Sequence, residues 1–497
     1  MSLLAGIVLA ATFTRAMERV NSMDPIKSQS AYDSRAVQLV YETPLAIDYE
    51  ARPYRLAPGL CELPEVSADG LVYTLRMKDD SPLGADDVKR ALDRLRDPDR
   101  VHGSLGAWTM RSVESVSARD PRRLEIRLRS RNHVFPWFLA MSYAAVQAQD
   151  GSGTGPYRLA SWWRNHEMTF ERNPGWRGWK ANPKGFDTVR YLVVDDPSTQ
   201  WLMFLSGELD VLSDIARDNW GAVMDADGRL DGMLAAKGIE LHGGFPAMEV
   251  RYIGMNMRDP VLGRNRKLRQ AISCAFDFPT WRKFYNNSIE RMDGPVPPGV
   301  EGRLERRSPY SWDLEKAKAL MAEAGYPDGV DPATGRHLVL SLSIGRPTQE
   351  SREMGELLVS FFAKAGISLE LKFHTWAAFM AAVNKGDVQL YMMAWVADYP
   401  DPENFLQLFH SRNKSPGANH SDYDNPVYDA EYDAAMAAPD AAERNAHWMK
   451  CQEILQEDCP WIFTHVTKVY SLVHARVRNH VPGDFPYGEE KNLWTEE

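Results

Sequence analysis

The residues best placed to do chemistry lie where an apolar run meets an acidic, aromatic loop. The run from Val388 to Trp395 is rich in β-forming residues and predicts a buried strand. Pro400 and Pro402 follow closely, and neither can continue a strand or a helix interior. In open α/β sheets, ligands gather outside the carboxyl ends of the strands. We therefore expect Trp395 and Asp398 to face a ligand.

The second carboxylate of the loop has a structural explanation. Asp401 directly precedes Pro402, and this order is typical of an N-cap followed by the first turn of a helix. The loop therefore predicts a strand, a polar turn and a helix. Asp398 is the carboxylate that remains for binding.

No enzyme motif accompanies this loop. The sequence contains no GxSxG, no HExxH and no GxGxxG behind a strand, and no two histidines lie four residues apart. His374 follows a predicted strand and is a candidate base or ligand, although a surface or core histidine is the simpler interpretation. The pair Asp195 and Asp196 precedes Pro197 and favours helix capping over acid–base catalysis. A hydrolase with an unrecognised site remains one alternative.

The glycine-rich stretch GSGTGPY at 151–157 predicts a turn or a crossing between domains. A phosphate cradle is the alternative. Its spacing is not that of GxxxxGK[ST], and Pro156 removes an amide donor.

Composition limits the class of protein. The chain has 497 residues, of which 44% are hydrophobic, enough for two or three domains with their own cores. Its net charge of −10, without a long basic run, argues against a nucleic-acid partner. No cysteine pair has zinc-site spacing. Cys451 and Cys459 are close enough to form a disulfide in an oxidising compartment, and two buried free thiols are the alternative.

The N-terminus allows two interpretations. Leu3 to Phe13 is an apolar run of the length found in the core of a signal peptide, but no Lys or Arg precedes it. The alternative is that Ala11 to Val20 is a strand of the mature protein. Whether residues 1–16 are cleaved stays open, and no run reaches the length of a membrane-spanning helix.

Helix and strand patterns alternate several times between residues 310 and 410, which is typical of a doubly wound α/β domain. Twelve short segments along the chain also have a recognisable order. They are SMDP at 22–25, DGLVYTLRM at 69–77, ADDVKRALDRLRDP at 85–98, GTGPYRLASW at 153–162, ERNPGW at 171–176, FDTVRYLVVDD at 186–196, LSGELDVL at 205–212, RKLRQAISCAFD at 266–277, GPVPP at 294–298, SWDLEKAKALMAEAGYPDG at 311–329, AKAGISLEL at 363–371 and AWVADYPDPENFLQLFHS at 394–411. In these segments and in their order, from about residue 23 to residue 473, the chain resembles the family-5 extracellular solute-binding proteins of ABC importers, which include the dipeptide and oligopeptide binders.

The resemblance implies an α/β fold of the periplasmic-binding-protein type II class, a clamshell of two lobes with an inserted domain and mixed sheets. Domain I would comprise residues 1–45, 153–250 and 468–497. Domain II would be the insertion at 46–152, and domain III the closing lobe at 251–467. Members of the family bind a solute without catalysis and deliver it to a membrane permease.

The resemblance also implies roles for individual residues. Peptide binders of this kind hold the ligand's ammonium with an Asp in the loop after a cleft Trp, here Asp398 after Trp395. The Arg that precedes a Pro about fifty residues earlier, here Arg346, would hold the ligand's carboxylate. The loop neighbours Ala397 and Tyr399 are expected to line the site. Two fixed opposite charges would select a short zwitterion, since a dipeptide spans only about 7 Å.

Structural alternatives exist for each role. Asp398 would bond loop amides, Arg346 would pair with Glu350 or Glu353, and Trp395 would only pack. The chain also departs from the family in two places. Thr348 stands where an aromatic residue normally follows Arg-Pro, and the segment from 98 to 150 is short for the family, which leaves the domain II wall of the pocket and the ligand length open.

The expected function is therefore capture of short peptides outside the cytoplasm by a monomer that needs no cofactor. Its partners would be the peptide, or another amine-bearing solute, and the permease subunits of an ABC importer. The alternative within the family is a non-peptide solute such as a metal chelate, haem, an oligosaccharide or an opine.

Overall fold

The computed structural model describes residues 10–28, 30–48, 50–97, 99–100, 106, 109–213, 215–224, 229–415, 417–483 and 488–496. These residues form two compact units. The first contains the chain up to Phe245 together with the chain from Val469 onward, and the second is Pro246–Lys468. The three-domain division expected from the sequence stays a prediction.

The first unit combines mixed and antiparallel sheets with short helices. Its strands are β1 Thr12–Met17, β2 Leu45–Asp48, β3 Arg55–Pro58, β4 Glu65–Val66, β5 Val72–Arg76, β6 Val113–Asp120, β7 Arg123–Leu128, β8 Tyr157–Trp163, β9 Glu167–Arg172, β10 Thr188–Val193, β11 Val211–Leu212 and β12 Ile239–Pro246. Its helices are α1 Ala31–Val40, α2 Ala85–Arg96, α3 Phe135–Phe138, α4 Pro197–Leu205, α5 Trp220–Val223 and α6 Gly232–Ala236.

The strands of the first unit form two main sheets. One has the order β11-β1-β10-β9-β8, in which β1 runs parallel to both β10 and β11. The other is antiparallel, in the order β4-β5-β7-β6. In the second sheet, β4 and β5 form an antiparallel hairpin, and β5 also pairs with β7. Of the N-terminal run, residues 3–9 lie outside the described residues, whereas Thr12–Met17 forms strand β1.

A buried ionic cluster attaches the C-terminal segment to the first unit. Arg15 on β1 contacts Glu489 at 2.7 Å and Glu490 at 3.0 Å, and Arg35 on α1 contacts Glu489 at 2.6 Å. Burial opposes the ionisation of Glu489, but the two arginines lower its pKa to about 2. Because each buried charge depends on the others, loss of one leaves an uncompensated charge.

The second unit alternates strands and helices for most of its length. Its strands are β13 Glu249–Met255, β14 Ile289–Arg291, β15 Val330–Asp331, β16 Arg336–His337, β17 Val339–Ile344, β18 Ser368–Phe373, β19 Leu390–Val396 and β20 Trp461–His474, the last of which continues into the first unit. Its helices are α7 Arg266–Ala275, α8 Phe278–Phe284, α9 Leu314–Glu323, α10 Gln349–Lys364, α11 Trp376–Lys385, α12 Pro402–Leu406, α13 Pro426–Ala437 and α14 Ala441–Asp458.

The sheet of the second unit has the order β18-β17-β19-β13-β20, with β14 added along β20. Strand β17 is parallel to both β18 and β19, whereas β13 is antiparallel to β19 and β20. Fully buried Leu342 and Leu390 on the strands pack with Phe361 of α10 in one hydrophobic core. The mixed α/β class predicted from the sequence is confirmed.

The two ends of helix α10, which packs on this core, are determined by local sequence. Thr348 caps it by accepting a hydrogen bond from the backbone N–H of Ser351 at 3.2 Å. At its far end, Gly366 has φ +84° and lies so close to the Gly329 backbone that a Cβ would clash. Thr348 therefore has a structural role as the N-cap of α10.

All four cysteines are buried free thiols. Cys451 and Cys459 are therefore unpaired, and burial raises the pKa of the Cys459 thiol to about 12. Among the described residues, no helix is both long and apolar enough to span a bilayer. Within the same residues, no three His, Cys, Asp or Glu side chains are grouped to hold a metal ion.

Candidate functional site

The predicted strand, loop and helix around Asp398 are all present in the second unit. Strand β19 ends at Val396, and helix α12 begins at Pro402. The side chain of Asp401 caps α12 by accepting a 2.9 Å hydrogen bond from the Glu403 N–H. The structural role predicted for Asp401 is thus confirmed.

The side chain of Asn404, fully buried on α12, holds the loop in place. Its Oδ1 accepts hydrogen bonds from Trp395 Nε1 at 2.9 Å and from the Asp398 backbone N–H at 3.1 Å. Its Nδ2 donates to Asp398 Oδ2 at 3.3 Å. One amide therefore fixes the positions of the indole and the carboxylate that the sequence singles out. Asn404 itself was not among the predicted site residues.

The side chain of Asp398 is accessible to solvent, but its surroundings disfavour the charged carboxylate. The side chain is exposed, yet desolvation by the surrounding protein raises its pKa, and the hydrogen bond from Asn404 only partly offsets this. A cation placed against the carboxylate would relieve this cost. The bond to Asn404 also matches the alternative in which Asp398 serves the loop. That bond and a ligand contact are compatible, because a carboxylate accepts several hydrogen bonds.

The remaining loop residues are enclosed. Ala397 is buried, and its N–H donates to the Met248 carbonyl at 2.8 Å. Tyr399 is fully buried, and its hydroxyl donates to Glu403, which also accepts from Tyr432 at 2.5 Å. The roles of Ala397 and Tyr399 in ligand binding stay predictions.

Arg346 lies just beyond the end of β17 with its side chain exposed. It has no hydrogen-bond or ion-pair partner among the residues that the structure describes, so the pairing with Glu350 or Glu353 is not formed. An exposed guanidinium beside a strand end is available to an anion. Its role as the carboxylate anchor remains a prediction.

The sheet register relates Arg346 to Asp398. Ser343 on β17 pairs with Tyr391 on β19, and the strands are parallel. Continued along the strands, this register puts Arg346 level with Ala394, four residues before Asp398. At about 3.3 Å per residue, the two backbones are offset by about 13 Å along the strand direction. Both charged residues therefore lie beyond the carboxyl ends of neighbouring parallel strands. Asp398 lies farther along the strand direction than Arg346 does.

A cavity of about 170 Å³ opens beside Arg346 within the second unit. Most of its wall is apolar, with Met354, Met392 and Trp376 among the contributors. Arg251 and His465 also line it.

Arg251 is already balanced by a carboxylate. Its Nε donates to Glu249 at 3.0 Å, and Glu249 also accepts from the Thr467 hydroxyl at 2.6 Å. Burial opposes ionisation of Glu249, but Arg251 and these hydrogen bonds lower its pKa. The pair therefore presents little net charge to the cavity.

His465 is buried and neutral. Burial and the nearby Arg251 charge lower its pKa well below the usual value. The indole N–H of Trp281, which can only donate, contacts His465 Nδ1 at 3.1 Å. The proton of the neutral ring is therefore on Nε2, which has no partner within the described chain. His465 was not among the predicted site residues, and its one mark in the sequence is that it is a polar residue within the largely apolar strand β20.

Of the other residues singled out in the sequence, Asp196 has the structural role that was predicted, because its side chain caps α4 through the Thr199 N–H at 2.8 Å. His374 follows β18, where its backbone N–H donates to the Ile344 carbonyl at 2.9 Å and its side-chain Nε2 has no hydrogen-bond partner among the described residues. The glycine-rich stretch passes close to the end of α1, because a Cβ at Gly153 would lie 2.0 Å from the Val40 carbonyl oxygen.

Known proteins with the same organisation were found by sequence and by fold. The profile of the family described as bacterial extracellular solute-binding proteins, family 5, matches residues 55–417. Heme-binding protein A of Haemophilus influenzae is 23% identical, covering 89% of this chain and 84% of the relative. The dipeptide-binding protein of Escherichia coli is also 23% identical, covering 91% of this chain and 88% of the relative.

Among solved structures, the periplasmic binding protein DppA of Helicobacter pylori in complex with the peptide STSA matches with a TM-score of 0.78. It is 20% identical, and 98% of each chain is covered. The predicted periplasmic-binding-protein fold is confirmed by this match.

Proposed function

The chain belongs to family 5 of the bacterial extracellular solute-binding proteins, and we propose that it captures short free peptides for an ABC importer. The observation that carries this proposal is the pair of charged groups at one sheet edge of the second unit. Asp398 is an exposed but poorly solvated carboxylate, and Arg346 is an exposed cation that has no hydrogen-bond or ion-pair partner among the described residues. A free peptide carries the complementary ammonium and carboxylate at its two ends.

The offset between the two anchors sets the ligand length. An extended peptide spans about 3.3–3.6 Å per residue, so two to four residues span about 7–14 Å. The backbone offset of about 13 Å along the strand direction falls within this range. We therefore expect peptides of two to four residues to bind best.

The names of relatives support this substrate class without being uniform. Two relatives are named for dipeptides or tripeptides, several for glutathione and one for haem. Asp398 favours the ligands that carry a free amine. A peptide or a glutathione-like compound fits this requirement, whereas haem has no ammonium group.

The proposed role is binding and delivery. The peptide would be held outside the cytoplasm, passed to the permease subunits of an importer, and left chemically intact. Recovery of cleaved peptide after incubation with the purified protein would instead favour the hydrolase alternative.

A thermal-shift experiment tests the proposal directly. A free tripeptide such as tri-alanine should raise the melting temperature in a concentration-dependent way, because it binds only the folded protein. The N-acetylated and the C-amidated forms of the same peptide each lack one charge and should have little effect. Equal stabilisation by all three forms would refute the charge-pair site.

A further inference from the structure

The cavity beside Arg346 has the size of a side chain and is not used by the two anchors. An apolar cavity of about 150 Å³ in a protein interior accepts a benzene molecule. The cavity here measures about 170 Å³ and lies next to the guanidinium that would hold the ligand's carboxylate. A carboxylate on Arg346 would therefore bring the last side chain of the peptide to the cavity mouth.

The lining of the cavity favours apolar groups. Ile344, Met354, Met392 and Trp376 form much of the wall. Methionine side chains are flexible and polarisable, so they adapt to aliphatic and aromatic shapes alike. Burial of an apolar side chain among them would be favourable roughly in proportion to the area removed from water.

The polar groups of the cavity oppose a cationic side chain. Arg346 contributes a positive charge to it, Arg251 is balanced by Glu249, and no carboxylate is among its described lining residues. Glu249 is committed to Arg251 and Thr467. His465 offers only a donor, Nε2–H, which a lysine or arginine side chain cannot use.

We propose that this cavity receives the C-terminal side chain of the bound peptide and selects large apolar residues such as leucine, methionine and phenylalanine. The proposal rests on the function proposed above, because it takes Arg346 as the carboxylate anchor. It goes further by assigning a side-chain preference, and by assigning it to the C-terminal residue.

Calorimetric titration of dipeptides that differ only in the last residue tests the preference. Ala-Leu and Ala-Phe should bind at least about tenfold more tightly than Ala-Ala, since a single methylene in an apolar pocket is worth about tenfold or more. Ala-Lys should bind more weakly than Ala-Ala. Tightest binding by Ala-Glu would overturn the proposal, because the cavity would then be an anion site.

Titration of a variant with a filled cavity is the second part of the test. Ala394 lines the cavity from β19, and Ala394→Leu should abolish the advantage of Ala-Leu over Ala-Ala by filling the space that the leucine side chain would occupy. Ala381→Leu, on an exposed position of α11 outside the cavity, is the matched control and should keep the advantage.

The possible failures are distinguishable. If all dipeptides bind the wild-type protein with equal affinity, the side-chain preference is wrong and the peptide-binding function stands. If none binds at any concentration tested, the proposed function fails and the preference fails with it. If Ala394→Leu and Ala381→Leu both keep the advantage of Ala-Leu, the preference arises outside this cavity.

Discussion

Replacement of Asp398 by asparagine separates binding from folding more cleanly than other changes at the site. Asparagine has nearly the same shape and keeps an oxygen that can accept the 3.3 Å bond from Asn404 Nδ2. The backbone N–H of residue 398 still donates to Asn404 Oδ1 at 3.1 Å. The substitution therefore removes the charge and leaves the local hydrogen bonds in place.

The expected loss of affinity is large. Removal of one partner of an enclosed, hydrogen-bonded charge pair in a complex costs about 2–5 kcal/mol. At about 1.4 kcal/mol per tenfold change, a loss of about 3 kcal/mol weakens Kd by roughly 150-fold. Calorimetric titration with tri-alanine measures this change.

The same substitution should stabilise the unliganded protein. The pKa of Asp398 is raised in the folded state, so the folded protein holds this proton more tightly than the unfolded chain does. Its contribution to stability therefore falls as pH rises from the unfolded pKa, about 3.9, through the raised folded pKa. The melting temperature of Asp398→Asn should exceed that of the wild type at pH 7, and the difference should shrink toward pH 4.

The adjacent carboxylate provides a matched control. Asp401→Asn makes the same chemical change three residues away, at a helix cap where asparagine serves equally well. It should leave both peptide affinity and melting temperature almost unchanged. If Asp398→Asn binds tri-alanine as tightly as Asp401→Asn does, Asp398 is not the ammonium anchor.

Three further substitutions test other parts of the account. Arg346→Ala should weaken binding of free tri-alanine at least tenfold in calorimetry and leave binding of its C-amide unchanged, whereas Arg336→Ala, at an exposed position on β16, should alter neither. Asn404→Ala should lower the free energy of unfolding in urea by about 1–3 kcal/mol, because three polar groups lose their hydrogen-bond partner. It should also weaken tri-alanine binding, and an affinity equal to that of the wild type would show that other contacts position the loop. Glu489→Gln should lower the free energy of unfolding by about 3–5 kcal/mol at pH 7. The ionised wild-type carboxylate loses its contribution as pH falls from about 4.5 through about 2, so the difference between the two proteins should disappear near pH 2. A difference that is constant with pH would contradict the ionic role.

Elements with strong periodicity could be predicted from the sequence. Helix α10 carries apolar residues at helical spacing and is followed by Gly366, and both signals can be recognised in the sequence. Strand β19 was recognised from its apolar run, and the prolines after it marked its end. In these cases local preference and tertiary packing favour the same structure.

Weakly patterned elements were missed. Helix α13, Pro426–Ala437, is rich in alanine and aspartate and has only a faint apolar stripe. Its start signal, Asn425 before Pro426, was present but is common in turns as well. Strand β6, Val113–Asp120, is interrupted by register shifts that disturb its alternation.

The residues of the candidate site also include some that could be predicted from the sequence and some that could not. Asp398, Trp395 and Arg346 could be singled out because charged and aromatic residues after strand ends stand out in the sequence. Asn404 and His465 could not, since their importance lies in which atoms they meet across the fold. The tautomer of His465, for example, depends on Trp281, which is 184 residues away in the chain.

A crystal structure of the protein with bound tri-alanine would test the central claim most directly. The account predicts the peptide's ammonium nitrogen within about 3 Å of the Asp398 carboxylate and its terminal carboxylate on the guanidinium of Arg346. A peptide bound in the opposite direction, or away from both residues, would contradict it.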